Sequence, residues 1–194
     1  TLQLTSLTED QVASLTTAQT QALTTLQVVA LNTTQISSFV TSDIAVFVAA
    51  NLSSLQTSQI ASLTNRQAQS LTASQAVVLL TSQIQAIQSG SISYLSTDVV
   101  ASLIGSQIAV LTTDQAQALV TQQVVALKSS QLLFLQTQDF AALTTSAIAA
   151  FEIAQVKFLA TAQIVALNAD QVQSLTTGQI DVIATAQIAA FETQ

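Results

Sequence analysis

The sequence predicts an all-α solenoid of about 24 short helices, one for each octad of a tandem repeat, with about three octads to a coil. Three observations carry that prediction. The 194 residues repeat with a period of eight from end to end, without an insertion. Within each octad the apolar and polar positions fall at the spacing of a helix N-terminus rather than of a strand. Three Gly and no Pro leave nothing to make tight reversals at fixed places.

We label Leu111-Thr112-Thr113-Asp114-Gln115-Ala116-Gln117-Ala118 as positions a to h. Position a is Leu at 18 of its 24 sites, with Phe39, Phe47, Ile87, Phe151, Ile183 and Phe191 at the rest. Position f is apolar everywhere but Thr20, and position e is Gln at 18 of 24 sites. A side chain at a can pack on f as a hydrophobic staple, and Thr at b with Gln at e forms a capping box. Leu7-Thr8-Glu9-Asp10-Gln11-Val12 and Leu167-Asn168-Ala169-Asp170-Gln171-Val172 show the pattern in full. Acidic residues at d sit in the first turn, where the helix dipole favours them. Position b is Thr, Ser or Asn at only 11 of 24 sites. Where it is apolar, as in Val40-Thr41, Leu80-Thr81, Val120-Thr121 and Ala160-Thr161, the cap is expected to slide to Thr at c.

A continuous helix is excluded, because an octad overshoots two turns by roughly 80° and would spread the Leu row around the helix. The alternative is a β-solenoid, which Thr, Val and Ile favour. Strand alternation, however, puts a and f on opposite faces and leaves Thr and Gln beside Leu.

Helices of about six residues are unstable alone and must be held by neighbours. Three octads per coil need gentler corners than two, and Val110, Phe134, Phe158 and Val182 recur at h in every third octad. Leu and Ile are expected inside, with Thr, Ser and Gln outside; a buried Gln row would instead form a ladder between coils. The exceptions at e repeat in every sixth octad, as Asp43, Ser91, Asp139 and as Asn51, Val99, Ala147. Right-handed by default, about eight coils at roughly 10 Å each give a rod of about 80 Å. Residues 1–194 read as a single continuous octapeptide-repeat array and as a fragment of a longer one.

Composition narrows function. With no His and no Cys, no Ser-His-Asp triad, thiol nucleophile or zinc finger is available. Three basic residues, Arg66, Lys128 and Lys157, against a net charge of −7 exclude nucleic-acid binding. The longest apolar run, Ile44 to Ala50, is far below the about 20 residues of a membrane span. The acidic residues Glu9, Asp10, Asp43, Asp98, Asp114, Asp139, Glu152, Asp170, Asp181 and Glu192 are scattered, without a calcium-loop framework, and read as helix-start and solubilising groups. Phe39, Phe47, Phe134, Phe140, Phe151, Phe158 and Phe191 fall at a, f or h and read as core. We therefore expect no enzyme activity, no catalytic, cofactor or metal residues and no small-molecule substrate. Asn32-Thr33-Thr34 and Asn51-Leu52-Ser53 match the short glycosylation pattern.

Octads such as Leu15 to Ala22 and Leu111 to Ala118 resemble the Thr- and Gln-rich LTTxQIxA tandem repeats of large bacterial secreted or cell-surface, adhesin-like proteins. The resemblance implies an extracellular location and a structural rod, stalk or filament. The alternatives are an ice-binding solenoid using ranks of Thr, or a protein-binding scaffold. The register is unbroken from Thr1 to Gln194, with apolar a and f residues in the terminal octads. End-to-end self-association, through residues such as Leu7 and Ile188, or continuation in the same chain, is therefore expected.

Overall fold

The computed structural model describes residues 2–183, with the side chains described from Leu4 onward. The chain forms two compact units, residues 1–103 and 104–194. The first holds α1 (Leu2–Thr5), α2 (Glu9–Ala13), α3 (Thr17–Gln21), α4 (Thr25–Ala30), α5 (Thr33–Ser38), α6 (Thr41–Val46) and α7 (Ala49–Ser54). It continues with α8 (Thr57–Ala61), α9 (Asn65–Ser70), α10 (Ala73–Ala76), α11 (Thr81–Ala86), α12 (Ser89–Ile92) and α13 (Thr97–Ser102). The second holds α14 (Gly105–Ile108), α15 (Thr113–Gln117), α16 (Thr121–Ala126), α17 (Ser129–Leu132) and α18 (Thr137–Ala141). It ends with α19 (Thr145–Ala150), α20 (Ile153–Val156), α21 (Thr161–Val165), α22 (Ala169–Ser174) and α23 (Thr177–Ile180). Every helix has four to six residues, and among the described residues there is no strand.

Each helix packs on the third one along. In the first unit α2 meets α5, α3 meets α6 and α4 meets α7; in the second α14 meets α17, α15 meets α18 and α16 meets α19. Each unit is thus a helical solenoid with three octads per coil. The corners need neither Gly nor Pro because residues a and b are simply extended. Leu31 has φ −68° and ψ 142°, and Asn32 has φ −79° and ψ 170°. No described residue has a positive φ. Two extended residues turn the chain far enough for a three-sided coil, which is why bulky Leu and Phe are tolerated at the corner.

Position b is the N-cap throughout. Thr8, Thr16, Thr24, Thr64, Thr72, Thr112 and Thr176 each accept the backbone N–H of the Gln at e, as the capping box requires. The expected slide to c does not occur. Val40, Leu80, Val120 and Ala160 are themselves the N-caps, and the following Thr is the first helical residue. At Leu80 the Gln83 side chain still accepts the Leu80 N–H at 2.8 Å, and the Gln83 N–H turns to the Leu80 carbonyl at 2.9 Å. Half a box fixes the boundary without any hydroxyl.

Positions a and f form the core. Val28, Ile36, Ile44, Leu52 and Ile164 at f are fully buried, and Leu31, Leu55 and Leu159 at a nearly so. Phe39 and Phe47 meet edge to face with centroids 5.2 Å apart, and Phe140 stacks on Phe151 at 5.7 Å. Position h is different, and the reading of every Phe as core fails there. Phe134 and Phe158 are more than half exposed, because h lies at the helix end facing out from the corner. What h controls is helix length. Where it is Val78, Tyr94, Val110, Phe134, Phe158 or Val182 the helix stops after four residues; with Ala or Ser it runs to five or six from α2 onward. Val46 is the one described bulky residue that stays helical. Several of the serines at h also donate to the carbonyl of e, as Ser62 does to Gln59 and Ser102 to Val99, at 2.8 and 2.7 Å.

Candidate functional site

The feature repeated with most chemical detail is Gln at e, which lies inside rather than among the outward-facing residues. Its amide serves two helices at once. In Gln59, Oε1 accepts the Gln56 N–H at 2.8 Å, closing the start of its own helix. Nε2 donates to the carbonyls of Val28 at 3.0 Å and Leu31 at 2.7 Å, positions f and a of the corner one coil earlier. The Val28 carbonyl also accepts the Leu31 N–H at 3.2 Å, so at f the Gln amide adds a second bond to a helix-end carbonyl. Gln35, Gln67, Gln75 and Gln83 repeat the arrangement in the first unit, and Gln155, Gln163 and Gln179 in the second. Gln171 does the same with the carbonyls of Ala141 and Leu143. Cap and ladder, alternatives on paper, are one interaction.

The exceptions at e are built differently. Asn51 is too short for the box but donates to the Leu23 carbonyl at 2.7 Å. Ser91 donates to Asn65 Oδ1 at 2.8 Å, and Asp139 accepts from Thr113 Oγ1 at 2.7 Å. In those two octads a Gln has moved to b, where Gln88 and Gln136 donate to the carbonyls of Ala61 and Ala109 at 2.8 and 2.7 Å. The sequence held this signal: Gln at b accompanies the exception at e in both octads. Asp43 has no such help. It is buried on α6, facing Thr20 of α3, the polar residue at an otherwise apolar f. Neither carboxylate oxygen nor Thr20 Oγ1 reaches hydrogen-bond geometry. Burial pushes the Asp43 carboxyl above the usual carboxylate range, and Thr20 pulls it only part of the way back.

The acidic residues therefore divide. Glu9, Asp10, Asp98, Asp114 and Asp170 lie in first turns, as read from the sequence. Asp43 and Asp139 also lie in first turns but are buried, so they are not solubilising groups. Glu152 is an N-cap and Asp181 a C-cap, while Glu192 lies outside the described residues, as do Ile188 and Phe191. Among the described residues no group of three or more acidic side chains comes together as a metal cage, and no helix is long and apolar enough to cross a membrane. Asn51 is buried, which closes its glycosylation pattern in the folded state; Asn32 is exposed and spends Oδ1 on the Gln35 N–H. The Thr hydroxyls at b are engaged in caps, and Thr at c opens the helices.

One surface stands out in the second unit. On the stacked helices α14, α17, α20 and α23, Ile104, Leu133, Phe134, Ile153 and Phe158 are 48–58% exposed. The Phe134 ring covers Gly105, where a Cβ would come within 2.6 Å of it. Sequence reading missed this surface because it assigned h to the core.

A Thr- and Gln-rich tandem-repeat protein of the LTTxQ type, folded as a helical solenoid, is the class these features define. Residues 132–169 match a family model described as the ALTTAQ repeat. No curated protein matches the chain.

Proposed function

We propose that the chain is a structural spacer, an extracellular rod, stalk or filament segment of a secreted or surface-attached, adhesin-like bacterial protein, without catalysis. The observation supporting this reading is the Gln ladder. At nine octads, Gln35, Gln59, Gln67, Gln75, Gln83, Gln155, Gln163, Gln171 and Gln179, one amide ties a helix start to the corner one coil earlier, so resistance to separation is distributed along each stack rather than gathered at a site. Nothing in that chemistry selects a substrate. A spacer needs what this sequence has: a uniform unit, few charges and no reactive side chain. The same unit offers end-to-end contact with further copies of itself as a route to length.

Small-angle scattering of the purified chain tests the reading. A compact globule of this length has a radius of gyration of about 16 Å. A rod of about 80 Å would have a radius of gyration of about 23 Å or more. A value near the compact figure would defeat the rod. Antibody labelling of unpermeabilised source cells and of their medium tests the location independently, and a signal confined to the cytoplasm would defeat it.

A further inference from the structure

We infer that the apolar surface of the second unit is a docking face for a second copy of this chain, packed antiparallel about a two-fold axis between α17 and α20. Ile104, Leu133, Phe134, Ile153 and Phe158 leave about 500 Å² of apolar area exposed, taking half of the surface of each large side chain. That falls in the range of about 300–600 Å² of the largest apolar patch on a typical soluble chain, which is often functional. It would form the apolar centre of the about 800 Å² that each partner contributes to a stable interface, with exposed Lys128 and Lys157 beside it.

The fold does not require these side chains. The octads at 7, 31, 55 and 79, at the same place in the three-octad period, carry Ser14, Ser38, Ser62 and Ala86 at h. Here the aromatic residues are seated instead: Phe134 lies against Gly105, so its ring is held before any partner arrives.

Charge selects the partner. Both basic residues of this unit, Lys128 and Lys157, lie on this face, and so do Glu152 and Asp181. The face is neutral, while the unit's other charges, Asp114, Asp139, Asp170 and Glu192, are all acidic. Lys128 and Glu152 are exposed N-caps that occupy position b one coil apart. The two-fold places Lys128 of one copy against Glu152 of the other, twice, and Phe134 against Phe158. This contact is isologous and closes at two. It is independent of the spacer role and distinct from end-to-end association, which is open-ended and does not involve Phe134 or Phe158.

Sedimentation equilibrium of the whole chain across concentration is the test. The expected result is a monomer–dimer equilibrium that Phe134→Ser with Phe158→Ser weakens at least about tenfold. Circular dichroism of that variant should keep its helical signal, since Ser already occupies h in other octads. Lys128→Glu alone and Glu152→Lys alone should each weaken the dimer, and the double swap should restore it. A wild-type chain that stays monomeric at millimolar concentration overturns the inference. So does a dimer indifferent to the Phe pair or to Lys128→Glu. A monomer that binds neutral phosphatidylcholine vesicles through Phe134 and Phe158 would overturn it too, assigning the face to a membrane surface instead.

Discussion

Replacing Asp43 by Asn should stabilise the first unit at neutral pH, and the reason is visible one octad further on. Asn51 occupies the same position e and donates to a carbonyl 28 residues earlier, Leu23, at 2.7 Å. The same step back from position 43 gives Leu15, the corner one coil before α6. Asp43 offers that carbonyl only an acceptor, so both of its oxygens are buried without a partner. An unsatisfied buried polar group costs about 1–3 kcal/mol, and an amide of nearly the same shape removes that cost while adding one bond. A unit of about 100 residues shifts its midpoint by about 4–8 °C per kcal/mol, so a rise of at least about 4 °C is expected. The pH dependence fixes the cause. The Asp43 carboxyl is raised in the folded state from its ordinary 3.8. The stability it permits is therefore fully present below 3.8 and is lost as pH rises through the folded value. The advantage of Asp43→Asn should be largest at pH 7 and shrink as pH falls toward 3.8. Thermal unfolding of both chains from neutral pH down to 3.8, followed by circular dichroism, reads the difference directly. A lower midpoint for the variant at pH 7, or a gap that stays constant with pH, refutes the reasoning.

Other substitutions probe the same chemistry. Gln67→Ala removes the acceptor for the Thr64 N–H and the donor to Ile36 and Phe39, and should lower stability by about 2–4 kcal/mol in chemical denaturation. Gln67→Glu keeps the cap but loses the donor and buries a charge, so it should be at least as damaging, with part of the loss recovered at acid pH. Val120→Thr supplies the hydroxyl missing at an N-cap and should add about 0.5–1 kcal/mol, measured as a raised denaturation midpoint. Ser62→Ala deletes the hydroxyl bond to the Gln59 carbonyl and should cost about 1 kcal/mol or less, with helicity unchanged.

The fold was legible because the octad encodes local structure three times over. Leu at a, the capping residue at b and Gln at e are each a signal for a helix start, and they agree. Phase settled the rest: a and f share a face only if the helix restarts. The coil number was legible more thinly, from Val110, Phe134, Phe158 and Val182 in every third octad, and it was right although Phe134 and Phe158 were read as core. Periodicity reports that positions are equivalent and says nothing of whether they face in or out. The burial of Asp43 beside Thr20 lay beyond reach for a related reason. Thr20 and Asp43 stand nearly a full coil apart in the chain, and their meeting follows only from knowing which octads stack. The apolar surface on α17 and α20 was missed because h was assigned to the core, whereas exposure at h depends on where the helix stops.

The dual use of Gln also explains why the period never slips. A short helix leaves several N–H and C=O groups unpaired at its ends, and with four to six residues the ends are most of the helix. Solving each end separately would need a capping side chain at both, in an octad that already commits a and f to the core. One Gln meets both needs only if its own helix start stands over a corner of the previous coil. Gln59, Gln67, Gln75 and Gln83 all meet that condition, each reaching the carbonyls of f and the next a at the corner one coil back. Inserting a single residue into any coil would shift every later Gln of that coil off its carbonyls while leaving its helix intact. The core alone would tolerate such a change, since Leu, Ile and Phe interchange at a. The amide, with its fixed reach and direction, does not.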